Sequence, residues 1–357
     1  MARAELLVDR LVATGFIRPG VLWRGLQCCR PSLARWRVSV LVGLSGLLVE
    51  PLAWLQSLLF ARRLRRLQLP DDPIVVIGHW RSGTTYLHQL LACDPAVATA
   101  RNTLTMAPQV ALLLKPWIAP VLKAWMTRTR PIDAVPWGPD DPQEDELGLA
   151  RLTFDTNMAG MAFPRNYLAN FRRHVLVTTT AYERQWLQFC RLTWLHDGAG
   201  KTHWLIKNSV HTARVSLVLR HFPRARFVLL RRTPVDSIRS LVQVKQRLGT
   251  LVGLQPVPDQ GTQVEETVTA HRELLDAFET SRHLIPDQQL LELDYDDLIH
   301  QPLQAVERIY SRFGLTSWAV AKGPIKARID QARSYSADRV RLSQPAERRL
   351  QSLVKPI

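Results

Sequence analysis

"IVVIGHWRSGTT", residues 74–85, is one lysine away from a nucleotide-binding loop. A phosphate-binding P-loop reads G-x-x-x-x-G-K-[ST]; Gly78 and Gly83 keep that spacing, and Thr84 stands where the lysine belongs. The apolar run "PIVVIGH" reads as a strand and "TTYLHQLLACD" as a helix, the strand–loop–helix setting in which backbone N–H groups at a helix N-terminus hold an anion. The cation inside this loop is Arg81, and the functional question is what an arginine holds there.

Outward from the loop, strand and helix patterns alternate. This predicts an α/β fold, a P-loop-like parallel β-sheet flanked by helices on both faces. Helices are expected over 104–126 and 176–196, with a Pro- and Asp-rich loop at 127–146. "THWLIKN" reads as a strand, "SVHTARVSLVLRHF" as a helix and "RFVLLRR" as a strand. "TPVDSIRSLVQVKQRL" reads as a helix with Thr233 as N-cap, Pro234 at N1 and Asp236 at N3. After a loop at "GTLVGLQPVPDQGT" come a helix over "EETVTAHRELLDAFETSRHL", a strand at "QLLELDY" and a closing helix over "DDLIHQPLQAVERIYSRFGL". The organisation expected is one α/β domain over 71–357 behind a helical, apolar extension over 1–70.

Lys and Arg number 47 against 31 Asp and Glu, a net charge of +16 with a pI near 10.4, so an anionic partner is expected. Nucleic acid is set aside: no homeodomain, zinc-finger, RRM or KH pattern occurs, and the arginines are scattered over many segments. Cys28, Cys29, Cys93 and Cys190 show no C-x-x-C spacing, which suits reduced thiols in the cytoplasm and predicts no metal site. "MARAELLVDRL" lacks the apolar core of a secretory signal.

Residues 38–60, "VSVLVGLSGLLVEPLAWLQSLLF", are long enough to cross a bilayer. Glu50 and Pro51 near the middle, and arginines on both flanks, argue for a helix lying in the membrane interface or a hairpin bent at Pro51, with packing as a helical layer against the protein's own core, and then a true span, as the alternatives. A peripheral location on an anionic membrane surface follows.

The loop over 81–87, with the hydroxyls of Ser82, Thr84 and Thr85, is one phosphate-facing device. A second is "LLRRTPVDSIRS", where Arg232 precedes a helix and Ser240 lies eight residues on, near the same helical face. A ligand with two separate anionic ends satisfies both. Here the chain resembles the sulfotransferases that use 3'-phosphoadenosine 5'-phosphosulfate (PAPS), releasing the 3',5'-bisphosphate PAP. Their 5'-phosphosulfate loop reads [KR]-x-G-T-[TS], matched by "RSGTT", and their 3'-phosphate motif reads R-x-P-x-D-x-x-x-S, matched from Arg232 to Ser240. "GHWRSGTT", "PQEDE" and "LIKNSVHTARVSLVLRHFPRARFVLLRRTP" are most similar to the bacterial branch, distantly related to tyrosylprotein sulfotransferases; the resemblance covers residues 73 to about 315.

The resemblance implies that Arg81, Ser82, Gly83, Thr84, Thr85 and Tyr86 surround the 5' end of PAPS, and that Arg232 and Ser240 hold its 3'-phosphate. It also implies that Tyr295, in "LELDYDDL", lies near the nucleotide and that Lys207 reaches the sulfuryl group. Sulfuryl transfer moves a group of low charge, so no metal is expected, and Arg81 is read as the cation on the leaving oxygen. A kinase needs its loop lysine and a metal-holding aspartate; Asp294 is the acid available for that alternative. The general base is less determined. Where tyrosylprotein sulfotransferases carry a glutamate, this chain reads "ATARNTLTMAP", without an acid. "GPDDPQEDE" supplies Glu144 and Glu146 instead, with Asp141, Pro142 and Glu144 placed to open a helix as N-cap, N1 and N3, which leaves Glu146 as the preferred base ahead of His79 and His211. The missing glutamate also keeps open a membrane-associated PAPS-binding protein without catalysis. The basic, apolar N-terminal stretch predicts a lipid or other amphiphile as acceptor, entering past Trp117, Trp125 and Trp137. The tail adds Arg339 as a further candidate phosphate contact.

Overall fold

The computed structural model describes residues 14–126, 130, 137–332 and 341–354. Arg339 and the side chain of Trp125 lie outside the described set. Five parallel strands, β1 (Ile74–Ile77), β2 (Val97–Thr99), β3 (His203–Lys207), β4 (Arg226–Arg231) and β5 (Leu290–Asp294), form one sheet in the order β2-β3-β1-β4-β5. The helices that bear on the site are α1 (Pro19–Cys28), α2 (Trp36–Arg66), α3 (Thr84–Leu91), α4 (Asp145–Leu152), α5 (Met158–Ala162), α6 (Thr180–Asp197), α7 (Pro234–Val252), α8 (Gln260–Arg282) and α9 (Pro302–Phe313).

The strands read as continuous apolar runs because helices cover both sheet faces. Val75, Ile77, Ile206 and Leu229 point to one face, where Trp186 and Phe189 of α6 join them. Ile74, Val76, Leu205 and Leu230 point to the other, against Leu87 and Leu90 of α3 and Ile309 of α9. β1 lies at the centre, with Val76 opposite Lys207 of β3 and Ile77 opposite Leu229 of β4. Strand order reverses about β1, so its C-terminal end opens on the crevice where α/β sheets bind ligands.

Several elements differ from the sequence expectation. β2, three residues long, is too short to give a period. The helix expected over 104–126 is two, Asn102–Thr105 and Lys115–Trp125, because Pro108 can neither donate nor tolerate the preceding turn. The closing helix breaks at Gln301, driven out of the helical region by Pro302. A 3₁₀ turn, Ser209–Ala213, precedes the helix Val215–His221. α7 runs to Val252, so the loop after it is shorter than expected, and its N-cap is Thr233 with proline following.

α2 is continuous through Pro51, so there is no hairpin. The bond lost at the proline is offset by an inward stripe gripping the protein on both sides of it: Val38, Val42, Ser45 and Gly46 before, Ala53 and Gln56 after. At Gly46 a Cβ would fall 2.1 Å from the Ile17 carbonyl oxygen, which fixes how closely the chain before α1 approaches. The Gln56 carboxamide accepts from Leu112 N at 2.7 Å and donates to the Pro108 carbonyl at 2.9 Å.

The outward face of α2 is the apolar one. Leu44, Leu48, Trp54, Leu55, Leu58 and Leu59 are exposed, Leu48 at 79% and Leu58 at 76%, while Ser39, Ser45, Gly46, Ala53 and Gln56 face inward beside Val38, Val42 and Leu64. A surface helix of a water-soluble protein has the opposite polarity. Glu50 is turned aside to pair with Arg18 and to accept from Trp54 Nε1, and the Arg18 hydrogen bond holds its carboxyl below the usual range.

Candidate active site

The loop between β1 and α3 is strained at the positions a phosphate loop needs. Gly78, Arg81 and Gly83 have φ of 135°, 69° and 93°. Arg81 thus holds a left-handed conformation that L-residues rarely adopt, a feature that clusters at functional sites. At Gly83 a Cβ would lie 2.9 Å from the Tyr295 ring. Gly78 N donates to Thr212 Oγ1 at 2.8 Å, tying the loop to the segment after β3. Ser82 Oγ is buried without a protein partner, a hydroxyl left for something the loop would hold.

The second motif closes on the first. Arg81 Nε donates to Ser240 Oγ at 2.9 Å, and Arg232 donates from a terminal nitrogen to the Arg81 carbonyl oxygen at 2.7 Å. The Arg232 guanidinium sits 4.0 Å from the Tyr295 ring centre. Arg81, Arg232, Ser240 and Tyr295 are therefore one cluster. Thr84 is buried and Thr85 half-buried in the first turn of α3, while Tyr86 packs into the second-face core.

Across β1 stands a second cluster. Lys207, at the end of β3, donates to Glu144 Oε2 at 2.7 Å, and the other Glu144 oxygen accepts from Ser209 N at 3.0 Å. Glu146 accepts from Asn157 N and, at 3.0 Å, from Asn208 Nδ2. Burial raises its carboxyl pKa, opposed by the Arg214 charge and both hydrogen bonds. Asp145 between them is raised well above the carboxylate range by burial and by its two acidic neighbours. Glu144 does not open a helix as N3: α4 begins at Asp145, and the Glu144 carboxylate makes no capping bond because Lys207 and Ser209 take it.

Of the two histidines, His79 is buried against His271, with ring centres 4.5 Å apart, and burial pushes its pKa well down. His211 is fully buried edge-on to Trp186, its pKa pushed down to about 3. Asp294 is exposed where the helix after β5 begins. Trp117 is exposed and Trp137 half-buried. Sequence reasoning did not single out Asn208, Ser209 and Thr212, although "NSVHT" directly follows Lys207 and both ends of that turn are polar. Among the described residues no three metal-ligating side chains come together.

A parallel sheet carrying a lysine-free phosphate loop at its switch point places the chain in the P-loop-like α/β class. Within that class the chain belongs to the sulfotransferase family, whose profile matches residues 73–319. It is 26% identical over 311 residues to the omega-hydroxy-beta-dihydromenaquinone-9 sulfotransferases Stf3 of Mycobacterium bovis and Mycobacterium tuberculosis, covering 85% of this chain and 77% of theirs. In fold it is similar to sulfotransferase STF1 from Mycobacterium tuberculosis, with TM-score 0.64, 18% identity and coverage of 93% and 90% of the two chains. Sulfotransferase STF9 from Mycobacterium avium gives TM-score 0.64, 16% identity and 94% coverage of each.

Proposed function

We propose that this sulfotransferase takes the sulfuryl group from PAPS and delivers it to a hydroxyl of a lipid or similar amphiphile at the cytoplasmic face of a membrane, without a metal. The observation that carries this reading is the closure of two anion-binding motifs on each other through Arg81, Ser240 and Arg232. One end of the nucleotide meets the Ser82, Gly83, Thr84 and Thr85 turn, and the other meets Arg232 and Ser240.

The acceptor hydroxyl attacks sulfur, the bond to the phosphate oxygen breaks, and the hydroxyl proton passes to a carboxylate. Glu144 is the better-placed base. Both acids have both oxygens hydrogen-bonded, but Glu144 is the more exposed, its side chain at 13% against 2% for Glu146, and it is the one that faces Lys207. Arg81 and Lys207 supply fixed positive charge where negative charge develops, and such preorganised stabilisation contributes most to the rate of group transfer. Residues 1–70 form the membrane-facing extension of the α/β domain: α2 presents leucines and Trp54 outward, with Arg62, Arg63, Arg65 and Arg66 exposed at its end to meet anionic headgroups. The mycobacterial relatives are named for a hydroxylated menaquinone, which supports an apolar acceptor here.

Calorimetry with PAP in EDTA tests the nucleotide. Binding without added metal is expected; no binding, or tighter binding of ATP with Mg²⁺, overturns the reading. Sulfur-labelled PAPS incubated with a membrane extract is expected to give label that partitions into organic solvent, and exclusively water-soluble product overturns the acceptor class.

A further inference from the structure

Between the N-terminal helices and the site lies a cavity of about 90 Å³, room for about three water-sized groups. Its outer wall includes Val21 and Leu22 of α1 and Val42 of α2; its inner wall includes Leu147 of α4, Phe154 and Met158. The lining is mainly apolar, with Arg151, Thr153 and Thr156 among its polar points, and a mainly apolar cavity favours apolar ligands.

Its position gives it a use. Leu147 adjoins Glu146 in the chain, and Met158 adjoins Asn157, whose N–H Glu146 accepts. Met158 packs on its other side against the cluster holding Val210, three residues past Lys207, and Trp80 of the phosphate loop. Val42 lies on the inward stripe of α2, the helix whose outward face is apolar. Met158 thus lines the cavity and also packs against the cluster that Trp80 joins, while Val42 on the opposite wall belongs to the helix that bears the exposed leucines. Methionine is the side chain best able to yield there, being unbranched and free to repack.

Resting on the acceptor class proposed above, we infer that this cavity receives the stretch of the acceptor's apolar chain nearest the reacting hydroxyl, with Met158 as the movable partition between chain and sulfuryl group. An amphiphile would reach the site from beneath α2 with its tail never crossing water, and a short polar alcohol would make no use of the slot.

The test compares full-length wild type with Val42→Phe, which fills the cavity from its outer wall, using labelled PAPS with hexadecanol or butanol as acceptor. In the variant, kcat/KM for hexadecanol is expected to fall about tenfold or more, with butanol turnover and PAP binding unchanged. Unchanged hexadecanol turnover, or equal loss for both alcohols, overturns the slot. Should Val42→Phe lose PAP binding through misfolding, Ala162→Leu, a smaller filling of the same cavity, carries the comparison. Photolabelling by a diazirine-bearing hexadecanol provides a readout independent of turnover. Label is expected in peptides covering 147–163 of wild type and absent from them in the variant; label confined to the outer face of α2 overturns the slot. Wild type that takes label at 147–163 but sulfates neither alcohol supports the slot and refutes the acceptor class.

Discussion

Lys207 Nζ lies 2.7 Å from Glu144 Oε2, across 63 residues of sequence, with the two side chains 4% and 13% exposed. Each neutralises the other in a place neither enters alone, so the roles proposed for the pair tie transfer to stability. Lys207→Ala is expected to lose turnover and also to destabilise the fold by about 3 kcal/mol, because it strands a buried carboxylate. Glu144→Gln should keep PAP binding and lose transfer. Denaturant unfolding and labelled PAPS turnover measure the two effects, and near-normal turnover in Glu144→Gln would return the base role to Glu146.

Arg81 is constrained at both ends, by Ser240 at its guanidinium and by Arg232 at its carbonyl. Arg81→Ala is expected to raise the barrier by about 3 kcal/mol, as for a removed oxyanion donor. Ser240→Ala should weaken PAP binding by about 1 kcal/mol. Arg232→Lys keeps the charge but loses the planar stack on Tyr295, and a PAP affinity equal to wild type would show that the stack is idle.

Two sets of buried groups pull stability in opposite directions with pH. His211 and His271 have pKa values pushed down to about 3 and about 4 by burial, against an ordinary 6.5. The unfolded chain binds more protons between those values, so this contribution is present above 6.5 and is lost as pH falls through the window. His211→Phe should flatten the acid limb of the unfolding profile. Asp145 is raised, so the folded state keeps its proton longer and stability falls as pH climbs above 3.8. Asp145→Asn is expected to raise the thermal midpoint at about pH 8 and not at about pH 4; a pH-independent gain would contradict a buried titrating acid.

On α2, Leu48→Glu and Leu58→Glu replace side chains that touch little of the protein. Both should leave the thermal midpoint unchanged and abolish flotation with anionic liposomes. Wild type that floats equally with neutral liposomes would remove the arginines at the helix end from the account, and wild type that never floats would remove the membrane.

The phosphate loop was legible because glycine spacing and strand–loop–helix context are local properties of residues 74–91. The strands at 203–207 and 226–231 were legible because their central residues, buried on both faces, form apolar runs, and the half-buried edge strand at 290–294 was legible from its leucines. The Glu144–Lys207 pair was not, since helix-capping grammar explains an acid at 144 equally well and only tertiary closure brings Lys207 to it. The orientation of α2 was recorded in the small and polar residues at 39, 45, 46, 53 and 56, but an apolar composition hides which face turns inward until the body it grips is known.

The bonds that complete the phosphate loop, from Gly78 to Thr212, from Arg81 to Ser240 and from Arg232 back to Arg81, span 134, 159 and 151 residues. During vectorial synthesis at ordinary rates the loop leaves the ribosome roughly seven to thirty seconds before the residues that finish it. For that interval the strand and loop exist without their neighbours β3 and β4, and nascent chains halted before residue 232 should not be retained on immobilised PAP. On the reading proposed above, nucleotide binding is a late event in the life of each new chain, and a ligand that binds the closed loop stabilises β3 and β4 in place around β1.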